Sequence, residues 1–231
     1  MISYFDRSEP VSFLTGNLPH WRQKGKTYFM TFRLADSLPQ DKLRWKSEQK
    51  RWLASLLAPH TESDRAEYFR LFTERIQNWL DAGFGCCILA RPKVKSIVEE
   101  ALDYFDGTRY ALDESTVMPN HVHVLVTPLG EHRLSGILHS WKSFTAKAIL
   151  RNVPEAGSLF AARGGKRRDG ASTLVHRVWQ KESFDHIVRS AVQLNRIRQY
   201  IRDNPKAMSK RQRVEAASLR LSMEHREVDF T

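Results

Sequence analysis

The chain has little with which to build a disulfide framework or a cysteine-bound metal. Its 231 residues hold only two cysteines, Cys86 and Cys87. They are neighbours, and no second cysteine pair exists to complete a zinc site. They read instead as small apolar residues of the interior. Long hydrophobic runs are missing as well: none approaches the roughly 18 residues of a membrane span. The opening "MISYFDRSEP" lacks the pattern of a secretory signal. These absences predict a cytoplasmic protein with no membrane partner. Acidic residues are also in deficit, 26 Asp and Glu against 37 Lys and Arg, for a net charge of +11. That balance favours a polyanionic partner, with nucleic acid ahead of an acidic membrane surface. At this length, with 41% hydrophobic residues, one domain with an insertion fits better than two independent domains.

"TYFMTFRL" (27–34) is aromatic and branched and predicts a first strand. From Asp41 to about Leu80, apolar residues recur at helical spacing, and "APHTESD" divides the stretch into two helices closed by "DAGFG". "PKVKSIVEEALDYF" predicts a helix with Pro92 in its first turn, closed by Gly107. "RYALDESTVM" and "NHVHVLVTP" predict a strand pair turning near Pro119 and Asn120. "RLSGILHSWKSFTAKAIL" predicts an amphipathic helix, with Leu138, Trp141, Phe144 and Ile149 inside and Lys142 and Lys147 outside. "PEAGSLFAARGGKRRDGAS" reads as a basic loop, "TLVHRVWQ" as a short strand, and "FDHIVRSAVQLNRIRQYIRDN" as a long helix capped by Asp185 and stopped by Pro205. Leaving out the insertion at about 36–86, the order is β-α-β-β-α-β plus a terminal helix. This is the α+β ferredoxin-like pattern of an antiparallel sheet with helices.

The stretch that carries chemistry is "MPNHVHVLV" (118–126). On a strand, alternate residues share a face, so His121 and His123 point one way and Val122, Val124 and Val126 the other. The valines can anchor a core while two imidazoles supply part of a metal coordination sphere. On the last helix, Ile187, Ala191, Leu194, Ile197 and Ile201 form an apolar stripe flanked by Tyr200, with Asn204 one turn beyond. A phenol and an amide oxygen could therefore approach the histidine face. That combination suggests phosphoryl transfer, with a divalent ion polarising a phosphate and the tyrosine oxygen attacking in line.

Three ordered segments, "VMPNHVHVLVTP", "VWQKESFDHIVR" and "QYIRDNPKA", resemble the REP-associated tyrosine transposases, single-tyrosine members of the HUH nuclease superfamily with IS200-like transposases. The likeness extends to "LPHWRQKGKTYFMTFRLADSLP" (18–39). It implies a ferredoxin-like catalytic domain over residues 1–205, with His121 and His123 as metal ligands, Tyr200 as nucleophile and Asn204 as third ligand. The implied cofactor is Mg²⁺ or Mn²⁺, and the implied substrate is single-stranded DNA bearing a REP-like hairpin, cleaved and rejoined through a 5′-phosphotyrosine. The site would lie in one chain of a monomer or be shared in a homodimer. The insertion and a basic tail, 206–231, depart from compact members of that family.

Phosphate contacts are expected from Arg133, Lys142, Lys147, Arg151, Arg163, Lys166, Arg167 and Arg168. His186 is a further candidate for the site. Two other readings stand beside the nuclease. One is a histidine-triad nucleotide hydrolase, although its third histidine position is Leu125 here. The other is a domesticated hairpin-binding protein without catalysis.

Overall fold

The computed structural model describes residues 2–15, 19–38, 44–55, 63, 67–166 and 172–205. Its centre is a four-stranded antiparallel sheet. β1 (Ser12–Thr15) and β2 (Pro19–Arg22) form a separate hairpin, and the sheet itself begins with β3 (Tyr28–Arg33). β4 (Tyr110–Val117), β5 (His121–Pro128) and β8 (Phe184–Ile187) complete it in the order β4-β5-β3-β8. The first and third sheet strands are thus central and neighbours, as the ferredoxin-like pattern requires.

Strand alternation sorts the residues into two layers. Tyr28, Met30 and Phe32 of β3 and Val122, Val124 and Val126 of β5 face α3 (Pro92–Asp103) and α4 (Leu134–Asn152). Val94, Val98, Ile137, Trp141 and Ile149 fill that layer. The opposite face presents Phe29, Leu125 and the histidines to the last helix, 191–205, through Leu194 and Ile201. Two ion pairs hold this helix along the sheet. Arg198 chelates Asp113 at 2.8–3.1 Å and Arg202 pairs with Glu114, both acids lying where β4 bulges between Leu112 and Ser115.

The inserted segment forms α1 (Arg44–Ser55) and α2 (Glu74–Asp81), the latter entered through a π-helical stretch, Phe69–Thr73. Leu38, Trp45, Tyr68, Phe72 and Leu80 form a core of their own there. The expected divider "APHTESD" lies outside the described residues, apart from position 63.

Several expectations are corrected. The fourth sheet strand is "FDHI", and "TLVH" belongs instead to a hairpin arm, β6 (Ala161–Lys166) with β7 (Ser172–His176), within a segment expected to be mostly loop. A short helix, α5 (Ala156–Leu159), precedes that arm. Asp185 is consequently no helix cap. It lies mid-strand, and its buried carboxylate takes a two-pronged contact from the Arg22 guanidinium, with Nη2 to Oδ2 at 2.7 Å. On α4, Trp141 is buried as expected, but Phe144 is 60% exposed. Cys86 and Cys87 are half-buried rather than interior.

The Arg22–Asp185 pair fastens the first hairpin to the edge of β8. Asp185→Ala strands a largely buried cation and is expected to cost about 3 kcal/mol. Urea denaturation checks this, with Asp185→Asn expected to lose less.

Candidate active site

The site starts from the turn between β4 and β5. Asn120 is fully buried in that turn, and its Nδ2 donates to the Phe84 carbonyl at 2.9 Å. This fixes the amide, so Oδ1 faces the His121 Nδ1 at 2.7 Å as an acceptor. His121 must then carry its proton on Nδ1 and a lone pair on Nε2. Across the sheet, Thr31 pairs with His123, and its hydroxyl lies 2.7 Å from the His123 Nδ1. A hydroxyl can donate or accept, so Thr31 serves either tautomer of His123.

The two Nε2 atoms face each other at 2.9 Å. With His123 protonated on Nε2, one imidazole donates to the other. With its proton moved to Nδ1, two lone pairs converge on one point, and only a cation relieves their repulsion. Both rings are fully buried, and burial holds the His123 pKa down to about 3 and that of His121 well below its ordinary value, with the neighbouring His123 adding to the latter. Neutral imidazoles with acceptors fixed behind them have the form of metal ligands supported from a second layer.

The Tyr200 hydroxyl lies 3.3 Å from the His123 Nε2. Its ring meets Phe29 edge-on, and Phe29 stacks on His123. Burial raises the Tyr200 pKa and the Asp81 charge raises it further, while a hydrogen bond from Asn204 opposes both. Asn204 is itself buried. The nucleophile candidate, the histidine pair and Asn204 are thus gathered within a single chain.

Two residues emerge that the sequence reading passed over. Asp81, the last residue of α2, brings its carboxylate to the histidines: one ligand atom from each of Asp81, His121 and His123 lies within 4.8 Å of the others. Arg33 stands opposite His121 in register and so on the same sheet face, with burial lowering its pKa to about 10. No local signal marks Asp81, which precedes "AGFG" and reads as the end of a helix. Arg33 was visible as a cation two residues along the strand from Thr31.

The expected DNA cations are arranged differently. Arg133, Lys147 and Arg151 are exposed on α4 or at its start, in the layer across the sheet from the histidines. Arg133 lines a small cleft with Arg109 and His132. Lys142 is not free on the outside: its ammonium donates to the Gln180 and Lys181 carbonyls at 2.9 and 3.2 Å, and burial lowers its pKa to about 8. Arg163 and Lys166 fall on β6, while Arg167 and Arg168 lie outside the described residues, as does the tail 206–231. His186 sits on β8, opposite Phe29, with its Nε2 held 2.8 Å from Gln193.

Residues 90–204 match the family described as Transposase IS200 like. No curated protein matches the chain. Among solved structures, the chain is similar to a REP-associated tyrosine transposase bound to a REP hairpin, at 14% identity and a TM-score of 0.41, covering 83% of this chain and 73% of that one. It is also similar to a protein of Deinococcus radiodurans R1 described as a transposase, at 13% identity and a TM-score of 0.35, covering 79% of this chain and 98% of that one. Among the described residues, no helix is long and apolar enough to cross a membrane.

The depressed histidine pKa values make stability depend on pH. The unfolded chain takes up protons near the ordinary 6.5, whereas folded His123 resists them down to about 3. Stability is therefore full above 6.5 and declines as pH falls through that window. The urea midpoint of metal-free protein should drop between pH 7 and pH 4.5, and drop less in His123→Gln.

Proposed function

The chain belongs to the IS200-like transposase family, and from that premise we propose that it is a metal-dependent endonuclease and strand transferase for single-stranded, hairpin-bearing DNA. It works through a 5′-phosphotyrosine on Tyr200. The observation that carries this reading is the 3.3 Å approach of the Tyr200 hydroxyl to the His123 Nε2, beside two Nε2 atoms 2.9 Å apart. A nucleophile and a metal-competent pair on one face are what in-line phosphoryl transfer needs.

His121 and His123, with the Asn204 amide oxygen as third ligand, would hold Mg²⁺ or Mn²⁺, and the ion, when bound, supplies a Lewis acid for the scissile phosphate. The remaining work falls to side chains. Tyr200 is held against Phe29, so its oxygen is positioned before substrate arrives. Its raised pKa keeps the phenol protonated at rest, and the Asn204 hydrogen bond favours the phenolate that forms as the proton leaves. The Tyr200 oxygen bonds to phosphorus, and the 3′-oxygen departs and gains a proton as a free hydroxyl. That hydroxyl, or one from another strand, reverses the step. The bond energy stays in the phosphotyrosine, and no nucleotide is consumed. Arg33 is a cation on the same face that can offset charge on the phosphate. Because one chain brings all these groups together, a monomer suffices for the chemistry. Arg133, Lys147, Arg151, Lys166, Arg167 and Arg168 remain proposed phosphate contacts, those on α4 reaching DNA that extends around the sheet from the site.

With a labelled hairpin strand and Mn²⁺, the wild type should yield a covalent adduct that survives denaturing electrophoresis. Tyr200→Phe should yield none while binding the hairpin with nearly unchanged affinity, and His121→Ala with His123→Ala should lose metal-dependent cleavage. An adduct persisting in Tyr200→Phe would remove the nucleophile assignment. Hairpin binding by a wild type that never forms an adduct would favour the binding-only reading. Hairpin affinity should also fall with salt, with a log–log slope of roughly −0.7 per phosphate neutralised; a flat response in a titration would contradict the electrostatic account.

A further inference from the structure

We infer that Arg33 is a further catalytic residue, the group that holds the 3′-oxygen as it leaves phosphorus. The inference rests on the proposed phosphotyrosine reaction and adds its leaving-group side.

Position along the sheet separates Arg33 from the nucleophile. β3 and β5 set Phe29 against Leu125, Thr31 against His123 and Arg33 against His121, and alternation puts all of them on the face toward the tyrosine helix. Successive rows are two residues, about 7 Å, apart. Tyr200 occupies one end of this series: its ring meets Phe29 edge-on and its hydroxyl lies 3.3 Å from the His123 Nε2. Arg33 occupies the other end, in the row of His121. The order along the face is therefore Tyr200, His123, His121, Arg33. In-line displacement puts the nucleophile and the leaving oxygen at opposite ends of one axis through phosphorus. A phosphate seated at the histidine pair, with Tyr200 at one end, turns its leaving oxygen toward Arg33.

Arg33 also carries a charge that no carboxylate answers among the described residues. Arg22, Arg198 and Arg202 each reach an acid on a sheet strand, Asp185, Asp113 and Glu114 respectively. Arg33 is half-buried, and its Nη1 donates instead to the Ser37 Oγ at 3.1 Å. Ser37 is fully buried and donates in turn to the Leu34 carbonyl at 2.8 Å. Ser37 thereby accepts from Arg33 and steers the side chain without neutralising it. Burial lowers the Arg33 pKa only to about 10, so the charge is kept at neutral pH. A partly desolvated cation with N–H donors to spare is a burden on the fold until an anion arrives.

The chemistry fits that placement. As the Tyr200 oxygen bonds to phosphorus, the bond from phosphorus to the 3′-oxygen breaks and its electron pair goes to that oxygen. The guanidinium donates a hydrogen bond to the developing oxyanion and keeps its own proton. Water takes the proton of Tyr200 and supplies the one that completes the 3′-hydroxyl. In the reverse step the same contact holds the attacking 3′-hydroxyl in line, so Arg33 serves both cleavage and joining.

A change of leaving atom tests this. The adduct site on the labelled hairpin strand is mapped with the full-length wild type and Mn²⁺, and the strand is made again with sulfur in place of the 3′-oxygen at that site. A thiol ionises far more readily than an alcohol, near pH 8.5 or so in cysteine, so the departing sulfur needs little help. Relative to the wild type on the same strand, adduct formation by Arg33→Gln should slow about a hundredfold with oxygen and less than about tenfold with sulfur. The ratio of the two rates within one variant is independent of how much of that variant is folded. Arg33→Lys, which keeps the charge, should fall between the wild type and Arg33→Gln. Equal slowing on both strands, or none on either, would overturn the leaving-group role and leave Tyr200 and the histidines standing. A wild type that forms no adduct on either strand would overturn the nuclease reading and this inference with it.

Discussion

Two fully buried imidazole nitrogens 2.9 Å apart are the constraint around which the rest is arranged. Lone pairs at that distance repel, and a proton or a cation must lie between them. The strand that carries them cannot yield, because Val122, Val124 and Val126 are buried on its other face and alternation binds the two sets together. A one-residue slip of β5 would put the histidines in the apolar layer and valines at the site. The backs of the rings are equally constrained: Asn120 accepts from one, and Thr31 adapts to the other.

The tyrosine helix depends on the same sheet. Leu194 and Ile201 seat it on Phe29 and Leu125, and the Arg198 and Arg202 pairs set its position along β4. The bulge in β4 puts Asp113 and Glu114 within reach of arginines one helical turn apart. Tyr200 is placed by contacts on both sides of it in sequence, which explains how its oxygen meets His123 without another chain.

Much of this was legible in the sequence where the signal was local. The alternation of "HVHVLV" announced both faces of β5, and the Pro92 start and Gly107 finish bracketed α3 within a few residues. The ferredoxin-like order followed from counting elements. Legibility failed where identity depended on distant partners. "FDHI" is a four-residue edge strand whose Ile187 happens to fall in step with Ala191 and Leu194, so it read as the start of the helix. "AARGGK" is rich in glycine and charge, and only pairing with "STLVH" makes it a strand. At the site, Asn120 looked like a turn residue, although its main contacts are His121 and a carbonyl 36 positions earlier. Asp81 lies 40 residues before His121, and no spacing rule connects them.

The inserted segment has its own small core of Leu38, Trp45, Tyr68, Phe72 and Leu80, separate from both layers of the sheet. Such a unit can open locally while the sheet persists. Its last helix ends at Asp81, whose carboxylate lies within 4.8 Å of ligand atoms of His121 and His123, so opening the insertion also withdraws a negative charge from the histidine pair. Packing around Trp45 and Phe72 thereby bears on the electrostatic setting of the two histidines. An insertion of this kind couples its own local stability to the charge beside the histidine pair.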